Sequence, residues 1–476
     1  MKKRVFFKTA GAFVSITMLP SSVWVLSKNS KLRSFSLFPT KKYFAYLLSI
    51  VVAGILFACQ PQAQKPNVII FFTDDQGYSD VGCYGATGIE TPNMDKLAEN
   101  GIRFTNFYVP ATVCTPSRAG ILTGQYPKRS NLHEAVLFPY STNGLPLEKY
   151  TLAELFKDNG YSTACIGKWH LGHLPEFMPN NQGFDYFYGV PYSNDMDGYY
   201  YKHNNFQSPP LPFYRNTELI EEGPDQRYLT KRYTEETINL IQRRGEKPFF
   251  IYLAHNMPHK PWYVSEKFDG KSAKGLYGDV IMELDWSMGE IIKTLKEEKI
   301  YDNTIVVFTS DNGPISNNSA KPLRGTKATT WEGGQRVPGI IAWPAKIPAH
   351  EVCNEMVTSM DLFPTFMEIL HVDTPDKNKL DGMSILKLLE DPEKEKLPSR
   401  PFLYYSRNGQ PEAIREDNWK LHIDKSLGWN HDSNDFSPAL YNLDSDIGEQ
   451  NNVIEDHPDL YSKMKNELIK TDETIK

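Results

Sequence analysis

The stretch Val113-Cys114-Thr115-Pro116-Ser117-Arg118-Ala119-Gly120-Ile121-Leu122-Thr123-Gly124 decides how this 476-residue chain is read. Proline is favoured in the first turn of a helix, where its missing N–H is no loss, so Thr-Pro predicts a helix beginning directly after Cys114. The free N–H groups and positive dipole end of that helix then face whatever group residue 114 carries, with Arg118 one turn along on the same face. This is an anion site with a nucleophile in it, and on residue types alone it predicts a low-pKa thiolate attacking an anionic ester. A lone cysteine at a helix start would otherwise be a buried structural residue.

Outward from that stretch, Asn67 to Thr73, NVIIFFT, is a continuous apolar and β-branched run, the pattern of a strand covered on both faces. It runs into Asp74-Asp75-Gln76-Gly77, and open α/β sheets bind ligands at the carboxyl ends of their strands. Alone, the Asp pair would read as a capped turn. Thr304 to Ser310, TIVVFTS, is a second strand of the same character, and it ends in Asp311-Asn312-Gly313. Two strand ends that each offer two hard oxygen ligands make a divalent-cation site of Ca²⁺ type, and no His or Cys cluster with zinc spacing accompanies them.

Between these strands, Thr91 to Ile102 places Met94, Leu97 and Ala98 on one helical face with Gly101 as its stop, and Thr151 to Asn159 repeats the pattern before Gly160. Tyr161 to Ile166 reads as a strand delivering Gly167-Lys168-Trp169-His170-Leu171-Gly172, where an extended segment would point Lys168 and His170 the same way. Asp185 to His203 is crowded with aromatic and amide side chains, which suits either a sugar-binding loop or an aromatic core connection. Phe249 to Leu253 is a strand entering a loop with His255 and His259, and Tyr277 to Leu295 is a long amphipathic helix. The segment from Met356 to Leu370 reads as one helix, Glu390 to Pro401 as a linker, and the runs at 402–405, 419–423 and 439–443 as short strands of a small domain.

CTPSR followed by AGILTGQYP resembles the signature of the type I sulfatases, in which the cysteine of CxPxR is oxidised after translation to formylglycine (3-oxoalanine). The resemblance runs from about Pro66 to near the C-terminus. GKWHLG matches the family motif in which Lys168 and His170 flank the formylglycine, and PHKP aligns His259 with the family's active-site histidine. LRGTK followed by EGG is similar to the segment that supplies a second sulfate-binding lysine, here Lys327. The stretches ILTGQYPKR and HLGHLPEFMPNNQGFDYFYGVPYSNDM are most similar to the arylsulfatase A and N-acetylgalactosamine-6-sulfatase branch.

The resemblance implies an α/β, alkaline-phosphatase-like fold: a large mixed β-sheet sandwiched between helices, plus a small C-terminal α+β subdomain. It implies one Ca²⁺ held by Asp74, Asp75, Asp311, Asn312 and residue 114, and positive charge from Lys168, Lys327 and Arg118. His259 would be the acid for the leaving oxygen, and His170 the base that regenerates the aldehyde. The substrate implied is a sulfated oligo- or polysaccharide, from a glycosaminoglycan or a marine alga (ulvan, carrageenan). A formylglycine-generating enzyme is the implied maturation partner. Phosphatases, phosphodiesterases and formylglycine-dependent phosphonate monoester hydrolases share the fold, so fold alone does not fix the reaction. A non-catalytic glycan-binding lipoprotein is the reading from another class.

With 23% charged and 40% hydrophobic residues the chain is of ordinary globular composition, and its net charge of -6 argues against a nucleic-acid partner. An anionic substrate therefore needs a local cluster of cations. Lys41-Lys42 followed by the apolar run Tyr43 to Ala58 reads as a signal peptide, and Leu56-Phe57-Ala58-Cys59 is similar to a bacterial lipobox that would lipidate Cys59. This predicts an exported protein anchored by lipid in the outer membrane, facing periplasm or cell surface. Met1 to Leu26, also basic and apolar, reads as a second signal or an over-extended start. The division expected is 1–64 leader and tether, 65–395 catalytic domain and 396–476 small subdomain. With five cysteines, two of them assigned to lipid and oxidation, the fold is not a disulfide framework.

Overall fold

Val68 to Phe72 are five consecutive apolar residues with no solvent exposure, which only a strand buried on both faces can accommodate. Val68, Ile70 and Phe72 enter one core cluster, while Ile69 and Phe71 enter a second on the opposite face. Burial contributes roughly 1.5–3 kcal/mol for each such side chain, so this strand anchors both halves of the core. The computed structural model describes residues 64–198, 209–373, 379–424, 428 and 436–475, with four short strand segments before residue 40.

The chain forms two compact units, Met1–Gln64 and Lys65–Lys476. In the first, Lys8–Thr9 pairs with Ala12–Phe13 and Ser22–Trp24 with Ser34–Ser36, both antiparallel. The run Tyr43 to Ala58 and the lipobox with Cys59 lie outside the described residues, as does most of Met1 to Leu26.

In the second unit the strands are β1 (Asn67–Thr73), β2 (Ile102–Phe104), β3 (Phe107–Tyr108), β4 (Ser162–Lys168), β5 (Tyr186–Val190), β6 (Pro212–Arg215), β7 (Glu218–Glu222), β8 (Phe249–Ala254), β9 (Thr304–Ser310), β10 (Gly339–Ala342), β11 (Glu351–Cys353) and β12 (Val357–Thr358). Ten of them form one mixed sheet in the order β7-β6-β5-β4-β8-β1-β9-β10-β2-β11. At its centre β4, β8, β1 and β9 run parallel, so their carboxyl ends share one edge. Helices α1 (Pro92–Glu99), α4 (Leu229–Gln242) and α5 (Gly275–Glu297) supply Met94, Tyr233 and Leu284 to one face. Helices α2 (Cys114–Thr123), α3 (Leu152–Asp158) and α6 (Leu362–Leu370) supply Leu122, Phe156 and Phe366 to the other.

A second sheet, β13 (Phe402–Tyr405), β14 (Pro411–Glu416), β15 (Trp419–His422) and β16 (Ala439–Asn442), is an antiparallel meander backed by α7 (Pro458–Thr474). Its own core includes Leu403, Ile414, Leu421, Met464 and Leu468. Among the described residues no helix is long and apolar enough to cross a membrane.

Two local expectations are corrected, and one left open is decided for the described residues. The segment after Met356 is not one helix: β12 pairs in parallel with β3, Thr358 and Asp361 form a capping box, and only Leu362–Leu370 is α-helical. Strand β4 extends through Lys168, and His170 then adopts φ 60°, so Lys168 and His170 do not share an extended segment. The first part of the aromatic stretch at 185–203 is strand β5, with Phe187 and Val190 in the core, and residues 199–203 lie outside the described residues. Cys83, Cys114, Cys165 and Cys353 are all free thiols.

Candidate active site

Each parallel strand at the centre of the sheet ends in a functional residue. β1 delivers Asp74 and Asp75, β4 ends on Lys168, β8 leads into the loop carrying His259, and β9 delivers Asp311 and Asn312. Helix α2 begins at Cys114 itself, with Val113 in extended conformation as its N-cap, so residue 114 is the first helical residue and not the one before. All ten residues of α2 are buried. The result is a buried charge cluster, where solvent cannot screen the interactions.

Around Cys114, the thiol lies 3.5 Å from Asp74 Oδ1, and Lys327 Nζ lies 3.5 Å from Sγ. Lys168 Nζ donates to Asp74 Oδ2 at 2.5 Å and to Ser193 Oγ at 3.1 Å. Arg118, fully buried, donates from Nε and Nη2 to Asp311 Oδ2 at 3.1 and 2.8 Å, and from Nη1 to the Lys168 carbonyl at 2.8 Å. It thereby ties α2 to the ends of β4 and β9. Lys327 Nζ sits 2.8 Å from Asp75 Oδ1. Asp75 adopts φ 64°, a left-handed conformation unfavourable for a side-chain-bearing residue, and its N–H donates to Asp311 Oδ1 at 3.1 Å.

Three carboxylates and three permanent cations thus share one dry pocket. The cations hold the Asp74 carboxyl well below its usual range against the opposing effect of burial. Burial and the neighbouring Asp74 push Asp311 up to about 6. Burial, then Asp311 and Asp74, push the Cys114 thiol well above its ordinary value. The low-pKa thiolate expected from residue types alone is therefore corrected: the carboxylates beside Sγ outweigh the helix dipole.

Asn312 Nδ2 donates to Asp75 Oδ1 at 2.7 Å and to the Gly313 carbonyl at 2.9 Å, which leaves its Oδ1 buried without a partner. Ligand atoms of Asp74, Asp75, Cys114 and His259 lie within 4.8 Å of one another. His259 accordingly reaches the carboxylate cluster, with Nε2 3.6 Å from Asp75 Oδ2 and Nδ1 2.5 Å from the Lys260 carbonyl. His255 is buried in the aromatic core against Phe71, with Nε2 3.4 Å from Ser287 Oγ. His170 is buried with Nε2 2.8 Å from the Leu137 carbonyl and Nδ1 unpaired. It meets the α2 turn through the Thr115 hydroxyl, which donates to its carbonyl at 2.9 Å. Burial and the cations Lys168 and Arg118 push its pKa well down, so the ring is neutral.

Two contributors escaped sequence reading. Ser193, which steadies Lys168, sits in the aromatic stretch whose composition names no contact. Gln76 is buried directly after the Asp pair with both amide atoms unpartnered, and its N–H donates to Ser310 Oγ at 2.9 Å. Close backbone approach is the one further requirement: a Cβ on Gly313 would stand 1.8 Å from the Gly333 carbonyl, so only glycine lets the Lys327 loop press against the end of β9.

Comparison with known proteins agrees with this geometry. Residues 66–372, more than half of the chain, match the Sulfatase family, and residues 326–474 match the family described as N-sulphoglucosamine sulphohydrolase, C-terminal. Human arylsulfatase A is 36% identical over 446 residues, covering 86% of each chain. Dog N-acetylgalactosamine-6-sulfatase is 36% identical, covering 79% of this chain and 75% of the relative. The crystal structure of Ps i-CgsB in complex with k-i-k-neocarrahexaose superposes with a TM-score of 0.74 at 31% identity, covering 86% of this chain and 92% of that one. The helix-flanked mixed sheet with its small C-terminal sheet is the alkaline-phosphatase-like sulfatase fold. With its fold, its cationic pocket around Cys114 and its relatives in agreement, the chain belongs to the sulfatase family and is a sulfatase.

Proposed function

We propose that the protein removes sulfate from sulfated carbohydrates, with Cys114 oxidised to formylglycine and one Ca²⁺ bound by Asp74, Asp75, Asp311, Asn312 and residue 114. The observation that carries this reading is the meeting of Asp74 and Lys327 on Sγ of Cys114 inside a sealed cluster of three carboxylates and three cations. The oxygens of Asp74, Asp75, Asp311 and Asn312 fit a hard cation, with the buried Asn312 Oδ1 lacking a partner, and oxidation of Cys114 would exchange the one sulfur beside them for oxygen. When bound, Ca²⁺ supplies Lewis-acid polarisation of a sulfate oxygen and favours negative charge at residue 114. Formylglycine supplies, as its hydrate, one hydroxyl to attack sulfur and a second whose deprotonation lets sulfate leave. A thiol pushed up by burial and by its carboxylate neighbours is a poor nucleophile, which supports the oxidised form.

The chain's own residues do the rest. Lys168 and Lys327 neutralise the sulfate oxygens, and Arg118 fixes α2, and with it residue 114, against β9. His259, with Nδ1 engaged by the Lys260 carbonyl, turns Nε2 toward the cluster to protonate the departing oxygen. His170, neutral and with Nδ1 unpartnered, takes the proton from the second hydroxyl.

The names of the relatives and structural neighbours support a glycosaminoglycan or carrageenan-type oligosaccharide as the substrate class. The lipobox at Cys59 supports a lipid-anchored exported enzyme, matured by a formylglycine-generating partner, with its catalytic domain over 65–395 and a small subdomain from 396. The test is release of sulfate against release of phosphate and phosphonate from matched aryl esters. Faster sulfate release by orders of magnitude supports the reading, and faster cleavage of a phosphonate monoester or phosphodiester would replace it.

A further inference from the structure

A cleft of about 600 Å³ adjoins the active site, lined by Asp75 and by Pro258, the residue before His259. It therefore begins where the departing oxygen would be, and its size falls in the roughly 300–1,000 Å³ range of small-molecule sites. Three exposed lysines line it: Lys260, Lys274 and Lys321. None of them enters an ion pair among the described residues. The carboxylates that share the cleft are engaged elsewhere. Asp75 accepts from Lys327 and Asn312, and Asp80 accepts from the Tyr277 hydroxyl and from the Gly77 N–H at 2.7 Å. Asp75 is offset by Lys327, and Asp80, which has no cationic partner among the described residues, offsets one lysine, so in a chain of net charge -6 the cleft keeps a local positive excess of two.

The same cleft carries a fixed aromatic wall. Trp262 donates from Nε1 to the Pro258 carbonyl at 2.9 Å and packs against Tyr277 with ring centroids 5.1 Å apart. Lys260 Nζ lies 4.8 Å from the Trp262 ring centroid. An indole wall offers the C–H face of a sugar a stacking surface, and ammonium groups around it select for negative charge on that sugar. The lysines outnumber the acids that share the cleft, Asp75 and Asp80, and pair with neither.

We propose, on the strength of the sulfatase reading above, that this cleft seats the saccharide on the leaving side of the scissile ester, where Lys260, Lys274 and Lys321 read a second anionic group, a sulfate or a carboxylate. The preferred substrate is then a multiply anionic saccharide. Selectivity falls as salt is raised, because exposed charges are screened within about a Debye length of 10 Å at 0.1 M.

The test compares kcat/KM of the mature enzyme on three saccharides of one backbone: a single sulfate, two sulfates, and one sulfate beside a uronic carboxylate. A preference of about tenfold for a doubly anionic substrate is expected, carried by KM and shrinking in salt. Whichever doubly anionic substrate is preferred identifies the second group. In Lys274→Glu/Lys321→Glu the preference ratio collapses toward one or inverts, and in Lys274→Arg/Lys321→Arg it persists. A Lys→Gln pair gives the same ratio test if the charge-reversed protein folds poorly. Equal kcat/KM on all three saccharides in the wild type, or an unchanged ratio in the charge-reversed variant, overturns the inference while leaving the sulfatase reading standing. Failure of the mature wild type to turn over any sulfate ester, aryl sulfate included, sinks that reading and this inference with it.

Discussion

Among the described residues, two buried charge clusters are built to different ends. In the second, Glu332 and Glu449 join the small sheet to the loop that carries Lys327. Glu332 accepts from the hydroxyls of Tyr404 (2.8 Å) and Tyr108, from Lys420 Nζ at 3.0 Å and from Arg336 at 3.3 Å. Glu449 takes Lys420 at 2.9 Å, His422 Nε2 at 3.0 Å and the Glu332 N–H at 2.7 Å. Its four carboxylate oxygens are satisfied by the chain itself, and its cations pull Glu332 well below the usual carboxylate range. The cluster around Cys114 differs: three carboxylates crowd together, and Asn312 Oδ1 and both amide atoms of Gln76 are unpartnered. Left-handed backbone occurs in both, at Asp75 and His170 in one and at Glu449 in the other, where His422 Nδ1 also lacks a partner. A cluster whose carboxylate oxygens are all met by the chain holds a fold together, whereas one with crowded carboxylates beside unmet amide groups is arranged for something that arrives from outside.

The comparison predicts opposite consequences for equivalent truncations. Cys114→Ala should abolish sulfate release, by on the order of 10⁴-fold or more, while leaving the thermal midpoint nearly unchanged, because the thiol makes only long contacts at 3.5 Å. Lys327→Met should lower kcat by about 10²–10³-fold, as for loss of a group that stabilises transition-state charge. Lys420→Met should do the reverse. It strands two buried glutamates and costs about 3–5 kcal/mol of stability in denaturant titration, with kcat per folded molecule largely kept. If Lys420→Met instead removed activity without lowering stability, the division between the clusters would be wrong.

Smaller effects sharpen the same contrast. Dialysis against a chelator should remove activity that Ca²⁺ restores, and Asn312→Ala should raise the half-activating Ca²⁺ concentration by about tenfold or more. The smallest effect is one of pH. Burial pushes the Glu412 carboxyl, which accepts from Thr330 Oγ1 at 2.8 Å, up from its ordinary 4.5 to about 7. The folded state therefore favours the protonated form. Its contribution is full below about 4.5 and is lost as pH rises toward 7, so the denaturation midpoint should drift down across that window and Glu412→Gln should flatten the drift.

Much of this was legible in the sequence, and the reason is physical. β1 and β9 are continuous apolar runs because both faces are covered, so their ends, with Asp74, Asp75, Asp311 and Asn312, could be located by pattern alone. The motifs named Lys168, His170, His259 and Lys327, but pattern could not give their geometry. The left-handed turn at His170 follows from tertiary packing against Leu137, not from spacing. The state of Cys114 is not given by local rules, because helix dipole and Arg118 argue for a thiolate, while burial and the carboxylates of Asp74 and Asp311, which follow strands far from Cys114 in sequence, argue against it. β14 and α7 were not anticipated, since β14 (PEAIRE) alternates weakly and α7 buries only Met464 and Leu468. The lysine-lined cleft is likewise invisible in sequence, because Lys260, Lys274 and Lys321 come from three separate segments.

The central claim, that an oxidised residue 114 performs the chemistry, is tested most directly by measuring the mass of the peptide spanning 110–129 alongside sulfate release, in preparations made with varying amounts of maturation enzyme. Conversion replaces sulfur with oxygen and removes two hydrogens. The account predicts that specific activity rises in proportion to the converted fraction and vanishes with the unaltered thiol. Full activity in protein whose Cys114 is wholly unmodified would contradict it.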